Sequence, residues 1–300
     1  MRGLGPVVSI ALIGVAIATT GCGLGPGAGQ EDVRLTITRD YGRTPLLTRS
    51  VSDVTESDSV MRVLERNAQI STRYGGGFVQ SIDGLEGSGG GGEDWFFYVN
   101  GLWSPVGAAD YPLHGGEAIW WDYRDWSVGE RVAAAVGSWP QPFVDGYEGA
   151  RHPTVVVCRG GGEACGRVRG RLRSVGARLV GERTGDAIRV LVGPWTRIRS
   201  DRDAGLLEKG VEVSGVFAEF TAAGRAMLGL DEHGDVARHF GLRAGLVAAT
   251  RREDQPPTWL VTGTDREGVE AAAGLLDVSS LRDHYAVAIE GGKETVLPLR

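Results

Sequence analysis

The sequence has no N-terminal hydrophobic run long enough to cross a membrane as a helix. The apolar stretch Val7–Ala18 has twelve residues, whereas a spanning helix needs about 20. It follows Arg2 and precedes the small residues Thr19-Thr20-Gly21. A short positive segment, a short apolar segment and then small residues form the layout of a signal peptide. We therefore predict that residues 1–21 are an export signal and that the bulk of the chain lies outside the cytoplasm.

Cys22, directly after this segment, is the candidate lipidation site. Thr-Thr-Gly-Cys resembles the bacterial lipoprotein box, although leucine usually stands where Thr19 does. Two alternatives stay open, because Ala16-Ile17-Ala18 is an acceptable cleavage site for plain secretion and an uncleaved segment would remain as an N-terminal anchor. Residues 22–31 are rich in glycine and would form a flexible tether. We predict anchoring to the cell membrane by lipid, with secretion as the alternative.

Cysteine is scarce, with three in 300 residues. Once Cys22 is assigned to the lipid, Cys158 and Cys165 remain as an even pair, seven positions apart. In an oxidising compartment such a pair is best interpreted as a disulfide. Zinc binding is not predicted, because no second cysteine or histidine pair stands at ligand spacing.

Lysine is also scarce, with two residues, and the chain has no excess of positive charge. The net charge is −6, and the segment from Glu31 to Asp125 holds fifteen acidic and eight basic residues. A nucleic-acid-binding protein needs a basic face that displaces counterions from the phosphates. The acidic first part of the chain therefore argues against a nucleic-acid partner.

Familiar catalytic motifs are absent as well. The chain has no Walker A sequence, no G-x-S-x-G nucleophile elbow and no H-E-x-x-H zinc motif. The segment Asp231-Glu232-His233-Gly234-Asp235 holds potential metal ligands, but a polar loop explains it at least as well. We predict no catalytic residue, no metal and no cofactor. An extracytoplasmic hydrolase stays the least favoured alternative, since catalytic triads assemble in space rather than in sequence.

Residues 32–126 show the pattern of an α+β domain, with one helix on a mainly antiparallel sheet. Apolar and polar residues alternate over Val33–Ile37, which indicates a half-buried strand. Thr55 is a candidate cap for a helix that begins near Val60, and Asn100-Gly101 is a type I′ turn pair. Further strands are predicted over Leu46–Val51, Phe78–Ile82, Asp94–Val99 and Ala118–Tyr123.

A linker interrupted by prolines is predicted over residues 127–152, and residues 153–300 then alternate between strand and helix patterns. Alternation of this kind indicates an α/β domain with a mainly parallel or mixed sheet. Helices are predicted over Glu163–Val175, Asp201–Lys209 and Asp265–Leu276, and strands over Thr154–Cys158, Arg178–Val180, Ala187–Val192, Val213–Phe217, Gly245–Thr250, Thr258–Thr262 and Tyr285–Ile289.

Four stretches of the first domain carry a family resemblance: Ser59–Leu64, Tyr74–Leu85, Trp95–Gly101 and Tyr111–Trp121. The third is a Trp-x-x-Tyr-x-Asn-Gly strand and turn, and the fourth is a Gly-Gly-Glu turn with an aromatic strand. On these motifs, residues 32–126 resemble the transcobalamin-like C-terminal domain family. In transcobalamin and intrinsic factor that domain covers one face of cobalamin, so the resemblance implies a corrinoid as candidate ligand. The helical barrel that forms the opposite wall there has no counterpart in this chain.

Five of the eight tryptophans fall between Trp95 and Trp126. Such residues are frequent at binding faces, although packing against the second domain accounts for them as well. We therefore predict an extracytoplasmic lipoprotein that binds a small-molecule ligand such as cobalamin, or an envelope partner. The alternative is an envelope adhesion or assembly module for protein or polysaccharide. The resemblance places the ligand contacts at Tyr98, Asn100, Trp120 and Trp121.

Overall fold

The computed structural model describes residues 27–90, 92–160, 162–181, 185–253 and 255–300. An α+β arrangement comes first and is followed by strands and helices around a mixed sheet, which confirms the predicted fold class. The predicted export signal and the lipidation of Cys22 lie outside the described residues. Within the described part of the chain, no helix is long and apolar enough to span a membrane.

The first part of the chain has the elements β1 (Val33–Arg39), β2 (Thr44–Val51), α1 (Val60–Asn67), β3 (Ile70–Arg73), β4 (Phe78–Ile82), β5 (Leu85–Glu86), β6 (Glu93–Val99), β7 (Leu102–Trp103), β8 (Ala118–Asp125) and α2 (Gln141–Val144). The first sheet has the strand order β2-β1-β8-β6-β7, in which β1 and β8 run parallel and the other neighbours antiparallel. A small separate sheet has the order β3-β4-β5.

Helix α1 begins behind Ser59, whose hydroxyl accepts a hydrogen bond from the backbone N–H of Arg62 at 3.3 Å. The predicted cap at Thr55 is therefore wrong. Thr55 instead belongs to a preceding turn, where its backbone N–H donates to the Asp58 carboxylate at 2.8 Å. The buried side of α1 packs on the apolar side chains of β1, so the helix covers one face of the first sheet.

Strand β1 is buried on both faces. Val33 and Ile37 are buried on the face toward α1, and the alternating residues Thr36 and Thr38 are buried as well. The prediction of a half-buried strand is wrong for a tertiary reason. The face that the helix does not cover packs against the second part of the chain.

The second part of the chain has the strands β9 (Thr154–Cys158), β10 (Leu179–Val180), β11 (Ile188–Pro194), β12 (Ala218–Phe220), β13 (Met227–Leu230), β14 (Val236–Phe240), β15 (Gly245–Thr250), β16 (Thr258–Gly263), β17 (Ala286–Glu290) and β18 (Lys293–Leu297). The second sheet has the order β10-β9-β11-β16-β15-β17-β18. Its first four strands run parallel and the later neighbours antiparallel. A further antiparallel sheet of three strands has the order β12-β13-β14.

The helices of the second part are α3 (Gly162–Ser174), α4 (Trp195–Ile198), α5 (Val211–Ser214), α6 (Arg266–Gly274) and α7 (Val278–Leu281). The two longer helices, α3 and α6, pack together on one face of the second sheet, where their apolar residues enter a common core. The other three α-helices of this part are single turns.

The strand predicted over Val213–Phe217 is wrong, since α5 and a bend occupy these positions. Gly215 has φ of 69° and ends α5 in the left-handed conformation, which glycine adopts without strain. The predicted helix over Asp201–Lys209 is a 3₁₀ helix that begins at Ala204. The pair β13 and β14 was not predicted.

Aromatic rings from both parts of the chain form one shared core. Tyr41 lies 5.1 Å from Phe217 and 5.1 Å from Tyr285, measured between ring centres. The segment 127–152, predicted as a linker, enters the cores too, and its Trp139 is 2 % exposed. The first sheet is therefore packed directly on the second, while the domain boundaries themselves stay a prediction.

Candidate functional site

A fully buried arginine stands where the two sheets meet. Arg124, on β8, has its guanidinium carbon 3.9 Å from the ring centre of Phe96. Its guanidinium donates to the backbone carbonyls of Gly129 at 2.7 Å and Glu130 at 3.1 Å. These acceptors and the aromatic face compensate for the removal of the charge from water. Arg124 is therefore bound within the protein and does not face a ligand.

Asp122 is a fully buried carboxylate at the same junction. It accepts hydrogen bonds from the Thr38 hydroxyl at 2.6 Å, the Gly42 N–H at 3.0 Å and the Tyr285 hydroxyl at 3.0 Å. Burial raises the pKa of Asp122 to about 6, although these hydrogen bonds act in the opposite direction. Because Tyr285 belongs to the second part of the chain, Asp122 links the two parts.

Two of the four predicted ligand contacts lie in this junction. Trp120 donates from its indole N–H to the Thr38 hydroxyl at 2.7 Å, and its ring lies 4.9 Å from that of Tyr285. Tyr98 is 0 % exposed and packs 5.4 Å from Trp120. Protein atoms cover both side chains, so a ligand role for them stays a prediction.

The other two predicted contacts differ from each other. Asn100 is buried; its carboxamide donates to the Gly146 carbonyl at 2.8 Å and accepts from the Ala118 N–H at 2.7 Å. Asn100 and Gly101 have φ of 51° and 80°, the signs that a type I′ turn requires. Trp121 points to the opposite face from Trp120. Of the four predicted residues, it alone lines one of the larger cavities found in the described residues.

A cavity of about 290 Å³ lies beside β6, and we call it the aromatic groove. Every lining residue except Ser104 is apolar or glycine. Val106, at the rim, is 45 % exposed. A concave apolar surface that stays open to solvent is typical of a ligand-binding site. Six aromatic residues line it: Phe78, Trp95, Phe96, Phe97, Trp103 and Trp121.

An exposed tyrosine flanks the aromatic groove. Tyr74 is 87 % exposed, and its ring packs edge-on at 6.2 Å from Phe78, which lines the groove. Tyr74 has φ of 54°, and Gly75 and Gly76 continue in the left-handed region. A non-glycine residue in this region costs about 1 kcal/mol or more, and such strain clusters at functional sites. The turn therefore holds a large ring in solvent next to the groove.

The outer edge of β6 borders the same groove. Strand β7 pairs with β6 only at Tyr98 and Val99. Among the described strands, none pairs with this edge from Glu93 to Phe97. The backbone N–H and C=O of Glu93 bond to Ser88, and the N–H of Trp95 donates to the Asp94 carboxylate. The part of the edge available to an added strand is therefore limited to the Trp95 carbonyl and the backbone of Phe97.

A larger cavity of about 740 Å³ adjoins the aromatic groove, and Trp103 and Pro105 line both. Its remaining walls come from the segment after β8 and from the second part of the chain. The guanidinium of Arg131 lies 4.9 Å over the ring centre of Trp103. We call this cavity the arginine cleft, because its lining includes Arg131, Arg202, Arg251 and Arg252, together with Glu212 and Glu253.

Two arginines of the cleft have acidic partners. Arg251 pairs with Glu148 at 2.7 Å, and Arg252 pairs with Asp203 at 2.5 Å. The other two are exposed and have no carboxylate within ion-pair distance among the residues that the structure describes. The cleft therefore presents two unpaired guanidinium groups next to an apolar groove.

Cys158 and Cys165 form a disulfide, as predicted, with Cα atoms 6.1 Å apart. The bond joins the end of β9 to the first turn of α3. Cys165 is buried in the core beneath α3. A disulfide agrees with an oxidising compartment outside the cytoplasm.

The acidic segment at 231–235 is the turn between β13 and β14. One carboxylate oxygen of Asp231 accepts the backbone N–H groups of His233 and Asp235, each at 2.9 Å. The carboxylate thus closes its own turn. Over the described ranges, no group of three or more histidine, cysteine, aspartate or glutamate side chains is arranged to hold a metal ion.

Sequence patterns did not single out Pro105 and the four cleft arginines. The groove joins β4, β6 and residues 103–108, which belong to separate elements, and the cleft adds distant residues beyond 200. One available signal was the position of Trp103, two residues after the Asn100-Gly101 turn.

Residues 57–125 match a family described as Domain of unknown function (DUF4430). This range runs from before α1 to the end of β8 and includes the residues of the aromatic groove. No curated protein matches the chain. A solved structure from Ruminococcus gnavus, described as a candidate metal-binding protein, is similar to part of this chain, with 14 % sequence identity and a TM-score of 0.26. The match covers 32 % of this chain and 98 % of that chain.

Proposed function

We propose that this protein is an extracytoplasmic binding protein that holds a flat apolar part of a small-molecule ligand in the aromatic groove. The observation that carries the proposal is the set of six aromatic residues around an open cavity of about 290 Å³. Small-molecule sites are typically concave and lined mainly by apolar and aromatic side chains. The proposal assigns binding rather than catalysis.

The size of the groove limits what it binds and how tightly. A buried aromatic ring covers about 150–250 Å², which at about 25 cal/mol per Å² amounts to about 4–6 kcal/mol before the costs of association. Those costs are of similar size. We therefore expect the groove alone to give weak binding, with dissociation constants of about a millimolar or higher.

A corrinoid such as cobalamin is the candidate ligand that the transcobalamin-like resemblance supplies. The aromatic groove has room for an edge or a side group of a macrocycle, and the described residues form no helical barrel that would supply a second wall. We therefore expect cobalamin to bind weakly. Calorimetric titration of the purified protein with cobalamin checks this expectation, and the absence of heat at millimolar cobalamin would remove the corrinoid from the proposal.

A neutral fluorescent probe tests the groove independently of the natural ligand. N-phenyl-1-naphthylamine has two linked aromatic units and no charge, and its emission rises in apolar sites. We expect Trp103→Ala and Phe97→Ala to lower its affinity by about tenfold each, consistent with the loss of about 1.4 kcal/mol of ring contact. Leu242→Ala, at a 63 % exposed position of the second part, is the control and should leave binding unchanged. Equal affinities in all four proteins would refute the groove as the site.

We also propose that Cys22 carries a lipid that holds the protein at the outer surface of the cell membrane. The support is the sequence layout of the signal and the glycine-rich tether. Growth with a clickable fatty acid should label the wild-type protein and leave Cys22→Ala unlabelled. Equal release of both proteins into the medium would favour plain secretion after Ala16-Ile17-Ala18.

A second candidate function is an envelope adhesion or assembly module. The observation that favours it is the short open edge of β6 from Trp95 to Phe97, which an extended protein segment can extend by strand addition. Extended apolar peptides would then protect the backbone amide of Phe97 from hydrogen exchange. Peptides that bind without protecting this amide would argue against this mode.

A further inference from the structure

We infer that the ligand is an amphipathic anion, whose single carboxylate or phosphate group enters the arginine cleft while its apolar part lies in the aromatic groove. This inference rests on the proposed function, because it assigns a chemical class to the ligand of that site. It adds the cleft as a second subsite with a different kind of contact.

The two cavities share one wall. Trp103 and Pro105 line both the aromatic groove and the arginine cleft. A molecule that places a ring against Trp103 in the groove therefore needs only a short connection to reach the cleft. The cleft is the larger cavity, at about 740 Å³ against about 290 Å³, so it has room for the polar part of the ligand.

Two guanidinium groups of the cleft are open to an anionic group. Among the residues that the structure describes, Arg131 and Arg202 have no carboxylate within ion-pair distance, whereas Arg251 and Arg252 each have one. A guanidinium offers a planar fork of donors that fits a carboxylate or a phosphate with two hydrogen bonds. These two exposed arginines are therefore the groups available to a ligand.

Arg131 is also positioned for this role. Its guanidinium carbon lies 4.9 Å from the ring centre of Trp103, a cation–π distance. The contact restricts a side chain that is otherwise exposed, and it holds the positive charge at the boundary between groove and cleft. The same tryptophan thus contacts the apolar part of the ligand and orients the arginine that binds the anionic part.

The acidic residues of the cleft limit the number of anionic groups that the ligand carries. Glu212 and Glu253 line the same cavity, and the chain as a whole has a net charge of −6. Among the described residues neither carboxylate has a basic partner, so the two offset the charge of Arg131 and Arg202. A polyanion would meet more repulsion from them than a single anionic group held at the two arginines. The arrangement therefore favours a ligand with one anionic group over a polyphosphate or an acidic polymer.

A matched pair of fluorescent probes tests the inference. 1-Anilinonaphthalene-8-sulfonate and N-phenyl-1-naphthylamine share the same two aromatic units, and only the first has an anionic sulfonate. We expect the wild-type protein to bind the anionic probe about tenfold more tightly, with the difference shrinking from 0.05 M to about 0.5 M salt because exposed charges are screened. Far-ultraviolet circular dichroism of each protein confirms that the anionic probe is not reporting unfolded chains.

Substitutions assign the preference to the cleft. Arg131→Gln and Arg202→Gln should each lower the affinity for the anionic probe about three- to tenfold, because an exposed charged hydrogen bond contributes about 1 kcal/mol. The affinity of both variants for the neutral probe should stay unchanged. Arg131→Lys should retain part of the preference. Arg178→Gln is the control, because it removes the same charge from an exposed position outside the cleft. A loss in the control equal to that in the cleft variants would refute the cleft as the anion site.

Competition then distinguishes the two head groups. 1-Naphthylacetate and 1-naphthyl phosphate should displace the anionic probe better than neutral 1-naphthylmethanol, and the stronger competitor identifies a carboxylate or a phosphate. Equal binding of the charged and neutral probes, with no effect of either arginine, would overturn this inference while leaving the groove intact. If Trp103→Ala changes the affinity for neither probe, the proposed function would instead be overturned.

Discussion

Replacement of Asp122 by asparagine is expected to remove a pH-dependent part of the stability. The Asp122 carboxyl is fully buried at the contact between the two sheets, and burial raises its pKa from 3.8 to about 6. One pKa unit corresponds to about 1.36 kcal/mol, so the difference amounts to about 3 kcal/mol. Because the folded pKa lies above the unfolded one, the folded state binds more protons between these two values.

The sign of the effect follows from this difference in proton binding. The stabilising contribution of Asp122 is fully present below about pH 3.8 and is lost as the pH rises through about 6. From pH 4 to pH 7, the free energy of unfolding of the wild-type protein should therefore fall relative to the variant by up to about 3 kcal/mol. Asparagine does not titrate, keeps a carbonyl oxygen for the Gly42 N–H, and directs an amide N–H toward Tyr285, whose hydroxyl is able to accept it.

Urea unfolding followed by tryptophan fluorescence at pH 4, 5, 6 and 7, at constant ionic strength, measures this difference. Subtracting the two curves cancels the carboxyl groups that both proteins share. Asp53→Asn, at an exposed position, is the matched control for the loss of one carboxylate. Parallel curves for the wild-type protein and Asp122→Asn would refute the argument that burial dominates the titration of this group.

Two further predictions concern the disulfide and the conformation of a glycine. Joint replacement of Cys158 and Cys165 by serine should lower the free energy of unfolding by about 2–3 kcal/mol, because the bond closes a short loop; a reductant that leaves the wild-type midpoint unchanged would contradict this. Gly42→Ala should cost at least about 2 kcal/mol, since Gly42 has φ of +80° and a Cβ there would stand 1.7 Å from the backbone oxygen of Asp283. Gly75 has φ of +73° and no atom within 4 Å of an added carbon, so Gly75→Ala measures the backbone strain alone. This control should lower the free energy of unfolding by only about 1 kcal/mol. Equal losses of stability in the two variants would show that the close approach at Gly42 has no effect.

Much of the regular structure could be predicted because local patterns determined it. The aromatic strand before Asn100-Gly101 and the strand Thr258–Gly263 lie within one residue of their predicted bounds. The turn pair was decisive for the first, since two successive positive φ angles strongly favour Asn-Gly. Helix α6 starts one residue after its predicted start because Asp265 is the cap rather than the first helical residue.

The errors arose where distant parts of the chain decide the outcome. Thr36 and Thr38 are polar, and only the presence of the second sheet explains their burial. Trp120 and Trp121 are neighbours in sequence, yet one is enclosed between the sheets and the other lines the aromatic groove. The alternation of side chains along a strand told us that they face opposite ways, but not which face the rest of the chain would cover.

The arrangement of the first sheet has a consequence for the order in which it forms. Strand β1 comes first in the chain but lies inside the sheet, where Arg34 pairs in parallel with Ala118, more than 80 residues later. Contacts of such high sequence separation slow folding, because a long loop must close before they form. The β1–β2 hairpin is local and should form early, and its inner edge then stays unpaired until β8 is in place. A fragment cut at residue 57, where the matched family range begins, would lack this hairpin and leave β8 as an open edge.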